Sequence, residues 1–134
     1  MQALARSLAL CFAAGTMGAL ANGLALWIAG RAGLTAALGV AIAPDLTAAW
    51  LYPRLVWGGL FGLLFALPLS FRSAGTRGLA VSLAPTLAQL LYFFPRAGGG
   101  ALGLELGAAT PLVVLLANAV WGLAASAWLR WTGR

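Results

Sequence analysis

This chain of 134 residues contains no histidine and no lysine, and its only acidic residues are Asp45 and Glu105. Without histidine, the usual zinc and haem sites are excluded. The single cysteine, Cys11, excludes an internal disulfide and any metal site built from several cysteines. We therefore expect the protein to bind no metal and no cofactor.

Groups for acid–base catalysis are also scarce. Both acids fall outside the hydrophobic stretches, so the carboxylate that usually relays protons inside a membrane is missing. Active sites concentrate titratable groups in one pocket, whereas the candidates in this chain are far apart in the sequence. We therefore expect that the protein is not an enzyme. The candidates are Asp45, Glu105, Tyr52, Tyr92 and Cys11.

Charge of either sign is rare, since 7% of the residues are charged and 63% are hydrophobic. A soluble domain carries about a quarter charged residues, so these values indicate an integral membrane protein whose main partner is the lipid bilayer. The net charge of +6 comes from arginines that stand singly or in pairs between apolar runs. This distribution is typical of topology determinants, whereas a nucleic-acid interface needs clustered charge.

Long, uniform apolar runs predict an all-α, polytopic membrane protein, a four-helix transmembrane bundle, because a barrel would alternate polar and apolar residues. A single domain, residues 1–134, holds all four spans. Residues 34–43 are too few to cross a bilayer, so they form either a re-entrant or an interfacial segment. This segment and the glycine-rich loop 97–107 lie on the same side, where they can pack as a cap. The predicted spans are about 7–29, 46–71, 78–95 and 110–130.

Prolines and short polar side chains mark helix ends and bends. Asp45 is a candidate cap for the second span. Thr110 before Pro111 is a suitable start for the fourth, since a threonine hydroxyl can cap the free amides and proline fits the first turn. Pro53 and Pro85 fall at the edge of or within the second and third spans, where we expect them to bend the helix.

The arginines predict the orientation of the bundle. Five of them lie on the side of both termini, whereas Arg31 and Arg96 lie on the other side with both acids. Because cytoplasmic loops carry the excess of positive charge, we expect both termini in the cytoplasm, in a bacterial inner membrane. The five are Arg6, Arg72, Arg77, Arg130 and Arg134.

Each span has one stripe of small or polar residues. Small residues let helices approach closely and amides bond between helices, so packing is the simpler interpretation. The amides all fall near the middle of the membrane, however, where transporters bind small solutes. The candidate polar network is Asn22, Ser82, Thr86, Gln89 and Asn118, and the candidate packing glycines are Gly15, Gly18, Gly58, Gly62 and Gly122.

Arg54 is the best single functional candidate, because an ionisable residue near the membrane interior marks a functional site by default. It could instead extend to the outer headgroups beside Trp50 and Tyr52, whose rings fit an aromatic belt. A third interpretation pairs Arg54 with Asp45 or Glu105 at the outer mouth, which would fasten the cap to the bundle.

Short motifs from Trp50 onward include Tyr52-Pro53-Arg54, Trp57-Gly58-Gly59-Leu60, Ala84-Pro85-Thr86-Leu87, Phe94-Pro95, Leu102-Gly103-Leu104, Thr110-Pro111-Leu112 and Asn118-Ala119-Val120-Trp121-Gly122. With these motifs the chain resembles a group of small uncharacterised bacterial inner-membrane proteins with four predicted helices. The resemblance implies membrane class and location, and it implies no particular activity.

Two functions are compatible with this sequence. The first is an accessory or packing protein, forming a homo-oligomer or part of a larger membrane complex, which the small-residue stripes favour. The second is a small channel or carrier for an uncharged or anionic solute, lined by the amides with Arg54 at its outer mouth.

Overall fold

The computed structural model describes residues 1–133, which are mainly helical and contain no β-strand within that range. Four helices are long and apolar enough to cross a bilayer, and they pack as a bundle. Arg134, one of the five arginines assigned to the side of the termini, lies outside the described residues. The four helices, called here the first to fourth spans, are Gln2–Arg31, Ala48–Ala66, Ala74–Arg96 and Thr110–Trp131.

The predicted caps of two spans are wrong. The second span is capped by Thr47, whose hydroxyl accepts the N–H of Trp50 at 3.2 Å, while Asp45 is exposed two residues earlier. A cap must stand directly before the first helical residue, and at Asp45 the chain has not yet reached the helix. The fourth span does begin at Thr110, with Pro111 in its first turn, but the buried Thr110 hydroxyl has no hydrogen-bond partner among residues 1–133 and caps no amide.

Helical geometry changes within two of the spans. The second span is an α-helix over Ala48–Gly62 and ends as a 3₁₀ turn over Leu63–Ala66. The third span is an α-helix over Ala74–Ala88, becomes a π-helix over Gln89–Phe93 and ends with a short helical turn over Phe94–Arg96.

Pro53 and Pro85 lie inside the second and third spans. Each removes one N–H donor, so a carbonyl one turn earlier loses its usual helical partner. The π turn of the third span begins four residues after Pro85, at Gln89. Such turns are concentrated at functional sites, so this part of the third span is a place to look for one.

Two loops, residues 32–47 and 97–109, form a cap over one end of the bundle. After the short helix Leu34–Ala37 the chain folds back, and the buried Val40 packs with Leu26 of the first span. The Ala41 N–H donates to the Leu106 carbonyl at 2.8 Å, within the 3₁₀ segment Ala101–Leu106. Residues 34–43 therefore return to the end of the bundle and pack against loop 97–107, as expected from the sequence.

Glycines bring the first span into backbone contact with the second, and close to the fourth. Gly15 lies directly against Gly58 and Gly62 of the second span. One turn further along the first span, Gly18 faces Trp121, and an added Cβ there would lie 2.5 Å from the Trp121 carbonyl oxygen. These glycines pack spans of the same chain together.

The third and fourth spans meet in the same way at Gly78 and Gly122, whose backbones touch. The second and third spans, in contrast, have few contacts with each other: near the termini the Arg77 guanidinium donates to the Phe65 carbonyl, and nearer the cap Trp57 meets Phe93. The spans therefore form a ring in the order second, first, fourth, third, with three sealed seams and one open seam.

We expect Gly62→Ala to lower the free energy of unfolding by about 1 to 3 kcal/mol, because overpacking of a tight contact has about this effect. The added Cβ would lie 2.5 Å from the Cys11 carbonyl oxygen and 2.7 Å from the Gly15 Cα. Gly75→Ala is the control, since its Cβ would lie no closer than 3.8 Å to its neighbours. Unfolding in detergent, followed by circular dichroism, tests this. Equal stability of the two variants would contradict the tight seam.

Candidate functional site

Four polar side chains, one from each span, form a hydrogen-bonded row across the bundle. Arg54 Nη2 donates to Asn22 Oδ1 at 3.0 Å, and Asn22 Nδ2 donates to Asn118 Oδ1 at 3.1 Å. Asn118 Nδ2 donates to Thr86 Oγ1 at 3.2 Å, and that hydroxyl donates to the Ser82 carbonyl at 2.8 Å. We call Arg54, Asn22, Asn118 and Thr86 the polar row.

The polar row has one direction, and Arg54 sets it. A guanidinium only donates, so Asn22 must turn its amide oxygen toward Arg54 and its NH₂ toward Asn118. Asn118 likewise turns its oxygen toward Asn22 and its NH₂ toward Thr86. Because each amide both accepts and donates, neighbouring bonds polarise one another in the same sense.

Arg54 lies inside the bundle, six residues after the start of its helix at Ala48, or about 9 Å along the axis. Its guanidinium carbon is 4.7 Å from the ring centroid of Trp50, so the Trp50 ring covers the guanidinium. Tyr52 is exposed, which suits a ring of an aromatic belt. The Nε of Arg54 is buried and has no hydrogen-bond partner among residues 1–133.

The expected pairing of Arg54 with Asp45 or Glu105 is not found within the described residues. Both acids are exposed in the cap, and neither lines the cavities beside Arg54. The hydrogen-bonding neighbour of Arg54 is instead the neutral amide of Asn22. Arg54 therefore brings an uncompensated positive charge into the bundle.

The two other predicted polar residues differ in their relation to the row. Ser82 joins it through the backbone carbonyl, while its hydroxyl donates to the Leu79 carbonyl at 2.6 Å. Gln89 begins the π turn and lies beside the row, lining the same cavities as Arg54. Four of the five residues of the predicted network thus bring side chains to one region of the bundle.

Two cavities meet at this region. The larger, about 330 Å³, extends toward the chain termini past Phe61, and the smaller, about 170 Å³, extends toward the cap past Ile42. Four residues line both cavities, and we call them the shared wall. A volume of 330 Å³ is within the range of small-molecule sites. The shared wall consists of Asn22, Arg54, Gln89 and Asn118.

Packed side chains close the bundle beyond the larger cavity. Phe65 is fully buried, and its ring centroid lies 5.8 Å from that of Trp121. Trp121 is held in turn by a hydrogen bond from its Nε1 to the Gly15 carbonyl at 2.9 Å. The larger cavity is therefore blocked toward the termini, and the most loosely packed side of its lining is between the second and third spans.

The aromatic residues around the site were missed at the level of sequence. Trp57 lines the larger cavity and packs edge-to-face on Phe93 of the third span, with ring centroids 5.3 Å apart. Trp57 follows Arg54 by three residues, and residues three apart share a helix face. From that spacing alone, Trp57 could have been predicted to lie beside Arg54 at the site.

No protein-family model matches this chain, and searches of curated proteins and of solved structures gave no match either. The comparisons therefore place the chain in no family. The structure supports a more general statement, that this is a small membrane protein with four long apolar helices.

We expect Asn22→Ala and Asn118→Ala to be coupled by about 0.6 to 2 kcal/mol in a double-mutant cycle, because hydrogen bonds between membrane helices have about this strength. Unfolding of the four proteins in mixed micelles measures the coupling. The control cycle combines Asn22→Ala with Ser126→Ala, since the Ser126 hydroxyl has no hydrogen bond to the row. A coupling no larger than that of the control would contradict the row.

Proposed function

We propose that this protein is a small membrane carrier or channel for a solute with an anionic group, and that the solute binds at the shared wall. The observation that carries the proposal is Arg54, a cation inside a membrane-length helix whose hydrogen-bonding neighbour is a neutral amide. Ionisable residues inside the membrane are costly, and they mark the pathways of substrates and ions.

Charge complementarity favours an anion over a neutral solute. The two acids of the chain are exposed in the cap, so no carboxylate side chain balances Arg54 at the wall. The buried Nε is a donor without a partner among residues 1–133. A carboxylate or phosphate oxygen would satisfy that donor and the charge together, in the strongest kind of hydrogen bond.

The arrangement of the cavities supports movement of the solute past the wall. The two cavities lie on opposite sides of the wall along the bundle, one toward the cap and one toward the termini. Pro53 and Pro85 line the larger cavity, and the π turn begins at the wall itself. Interrupted helices beside a midplane site are typical of transporters.

The accessory-protein hypothesis has less support. It rested on the small-residue stripes, and the glycines of those stripes pack against other spans of the same chain. A homo-oligomer or a larger complex stays a prediction.

We propose no catalytic step at the wall, because its side chains are amides and a guanidinium. An amide does not titrate near neutral pH, and a guanidinium stays protonated, so neither serves readily as an acid or a base. The site is thus suited to binding through donated hydrogen bonds and charge.

We further propose that both termini face the cytoplasm of a bacterial inner membrane. More arginines stand at the ends of the spans on the side of the termini than on the side of the cap, and both acids belong to the cap. Arg6, Arg72, Arg77 and Arg130 are on the side of the termini, and Arg31 and Arg96 are on the other.

Cysteines introduced at the exposed positions Gln2 and Ala97 test the orientation. In intact spheroplasts, a membrane-impermeant maleimide is expected to label Ala97→Cys, and to label Gln2→Cys only after lysis. The native Cys11 has no exposed surface, so it provides a silent background. If only Gln2→Cys were labelled in intact spheroplasts, the orientation would be the opposite of the one proposed.

In proteoliposomes we expect the protein to raise the efflux of chloride, phosphate or acetate above that of protein-free vesicles, and Arg54→Met to lower it about tenfold or more. Loss of a buried charge partner has at least this effect on binding. Efflux is followed with ion-selective electrodes or radiolabelled anions. Circular dichroism and gel filtration establish that each variant is folded.

Asn22→Asp is the sharper variant, because it changes shape little and gives Arg54 a carboxylate within the chain. Asn118 can adapt by turning its NH₂ toward the new carboxylate and accepting from the Thr86 hydroxyl. We expect Asn22→Asp to keep the fold and to lose efflux. Arg96→Gln is the matched control, since Arg96 ends the third span on the side of the cap, with its guanidinium carbon 4.7 Å from the ring centroid of Tyr92. Wild-type efflux in folded Arg54→Met or Asn22→Asp protein would refute the anion site.

A further inference from the structure

We propose that the ligand of the shared wall is a single-chain anionic amphiphile, with its carboxylate or phosphate head at Arg54 and its apolar tail in the gap between the second and third spans. This inference rests on the anion site proposed above. It adds the chemistry of the remainder of the ligand and the route by which the ligand reaches the wall.

The first argument is the open seam. The other three pairs of neighbouring spans are sealed by glycines or by a glycine against a tryptophan, whereas the second and third spans have few contacts with each other. All four spans line the larger cavity, and the seam between the second and third spans is its loosely packed side, so we infer that the cavity opens there. In a bilayer that opening faces acyl chains, and a ligand can enter it from the lipid.

The second argument is the separation of polar and apolar lining. Polar groups stand at one end of the larger cavity, where Arg54, Gln89 and Asn118 belong to the shared wall. Beside the gap the lining is aromatic, formed by Trp57, Phe61 and Phe93. A free anion would use only the first part. An amphiphile uses both, because its tail gains apolar contact while its head meets the cation.

The third argument is the aromatic bridge, Trp57 and Phe93, which crosses the gap on the cap side of the contact between Arg77 and Phe65. Its ring centroids are 5.3 Å apart in an edge-to-face arrangement, and Trp57 is also 6.2 Å from Phe61. Trp57 remains 49% exposed at the surface of the bundle. Because about half of the Trp57 side chain is exposed, the ring can change rotamer. The gap can then admit one acyl chain without separation of the spans.

The fourth argument is the closure of the other routes. The cap covers one end of the bundle, with Ile42 against the smaller cavity, and Phe65 with Trp121 blocks the other end. The seam between the second and third spans is therefore the route to Arg54 that the packing obstructs least. The volume of about 330 Å³ is at the small end of the range for ligand sites, which suits one chain better than a two-chain lipid.

The test uses the full-length protein purified in dodecyl maltoside, so that an uncharged head on a dodecyl tail is always in excess. Dodecyl phosphate and inorganic phosphate are the two probes, and native mass spectrometry and thermal unfolding are the readouts. We expect one dodecyl phosphate per chain, and affinity for inorganic phosphate at least about tenfold lower. Arg54→Met and Asn22→Asp are each expected to lower the affinity for dodecyl phosphate about tenfold or more.

Two further variants test the gap. Trp57→Ala is expected to speed the dissociation of dodecyl phosphate severalfold, because it removes half of the aromatic bridge. Leu116→Ala is the control, since Leu116 is 56% exposed on the fourth span and lines neither cavity. Equal dissociation rates for wild type and both variants would overturn the position of the tail.

The outcomes separate this inference from the proposed function. Equal affinity for both probes, lost together in Arg54→Met, overturns the amphiphile and leaves the anion site standing. Full-strength binding of dodecyl phosphate to folded Arg54→Met and Asn22→Asp overturns both. Arg54-dependent binding of dodecyl phosphate, without efflux of chloride, phosphate or acetate, supports the amphiphile and overturns transport of small anions.

Discussion

Arg54 can donate hydrogen bonds and cannot accept them, and this asymmetry orders the polar interior of the bundle. Asn22 presents its oxygen to Arg54, and the same orientation passes through Asn118 to Thr86. One side chain from each span is thereby fixed relative to the others. The bundle holds a single arrangement at this level because reversal of any amide would set two donors against each other.

The open seam follows from where the second span directs its glycines. Gly58 and Gly62 lie against the first span, and Gly59 lies against Phe12 of that span. Its bulky residues are left for the third span, and there Trp57 meets Phe93. Glycine seams let backbones touch, whereas two aromatic rings hold helices apart. The gap beside Arg54 is thus a consequence of tight packing elsewhere in the ring.

Composition and the length of the apolar runs were sufficient to predict the four spans, because lipid requires continuous hydrophobic helices. Helical periodicity also placed Asn22, Thr86 and Asn118 on inward faces. The partner of Arg54 could not be predicted, since it depends on how deep the second helix begins. The helix starts after Thr47 and not after Asp45. As a result, Arg54 lies at the level of Asn22 in the bundle and not at the level of the acids in the cap.

Arg54 is a charged side chain at a level of the bundle where the other members of the polar row are neutral. Acids are confined to the cap, and hydroxyls such as that of Thr16 are bonded to carbonyls of their own helix. A neutral group left without a partner, such as the Ser126 hydroxyl, costs far less in an apolar medium than a charge does. An apolar residue at position 54 would avoid that penalty altogether. Departures from local consistency of this kind concentrate at functional sites, so the charge is best understood through what it binds.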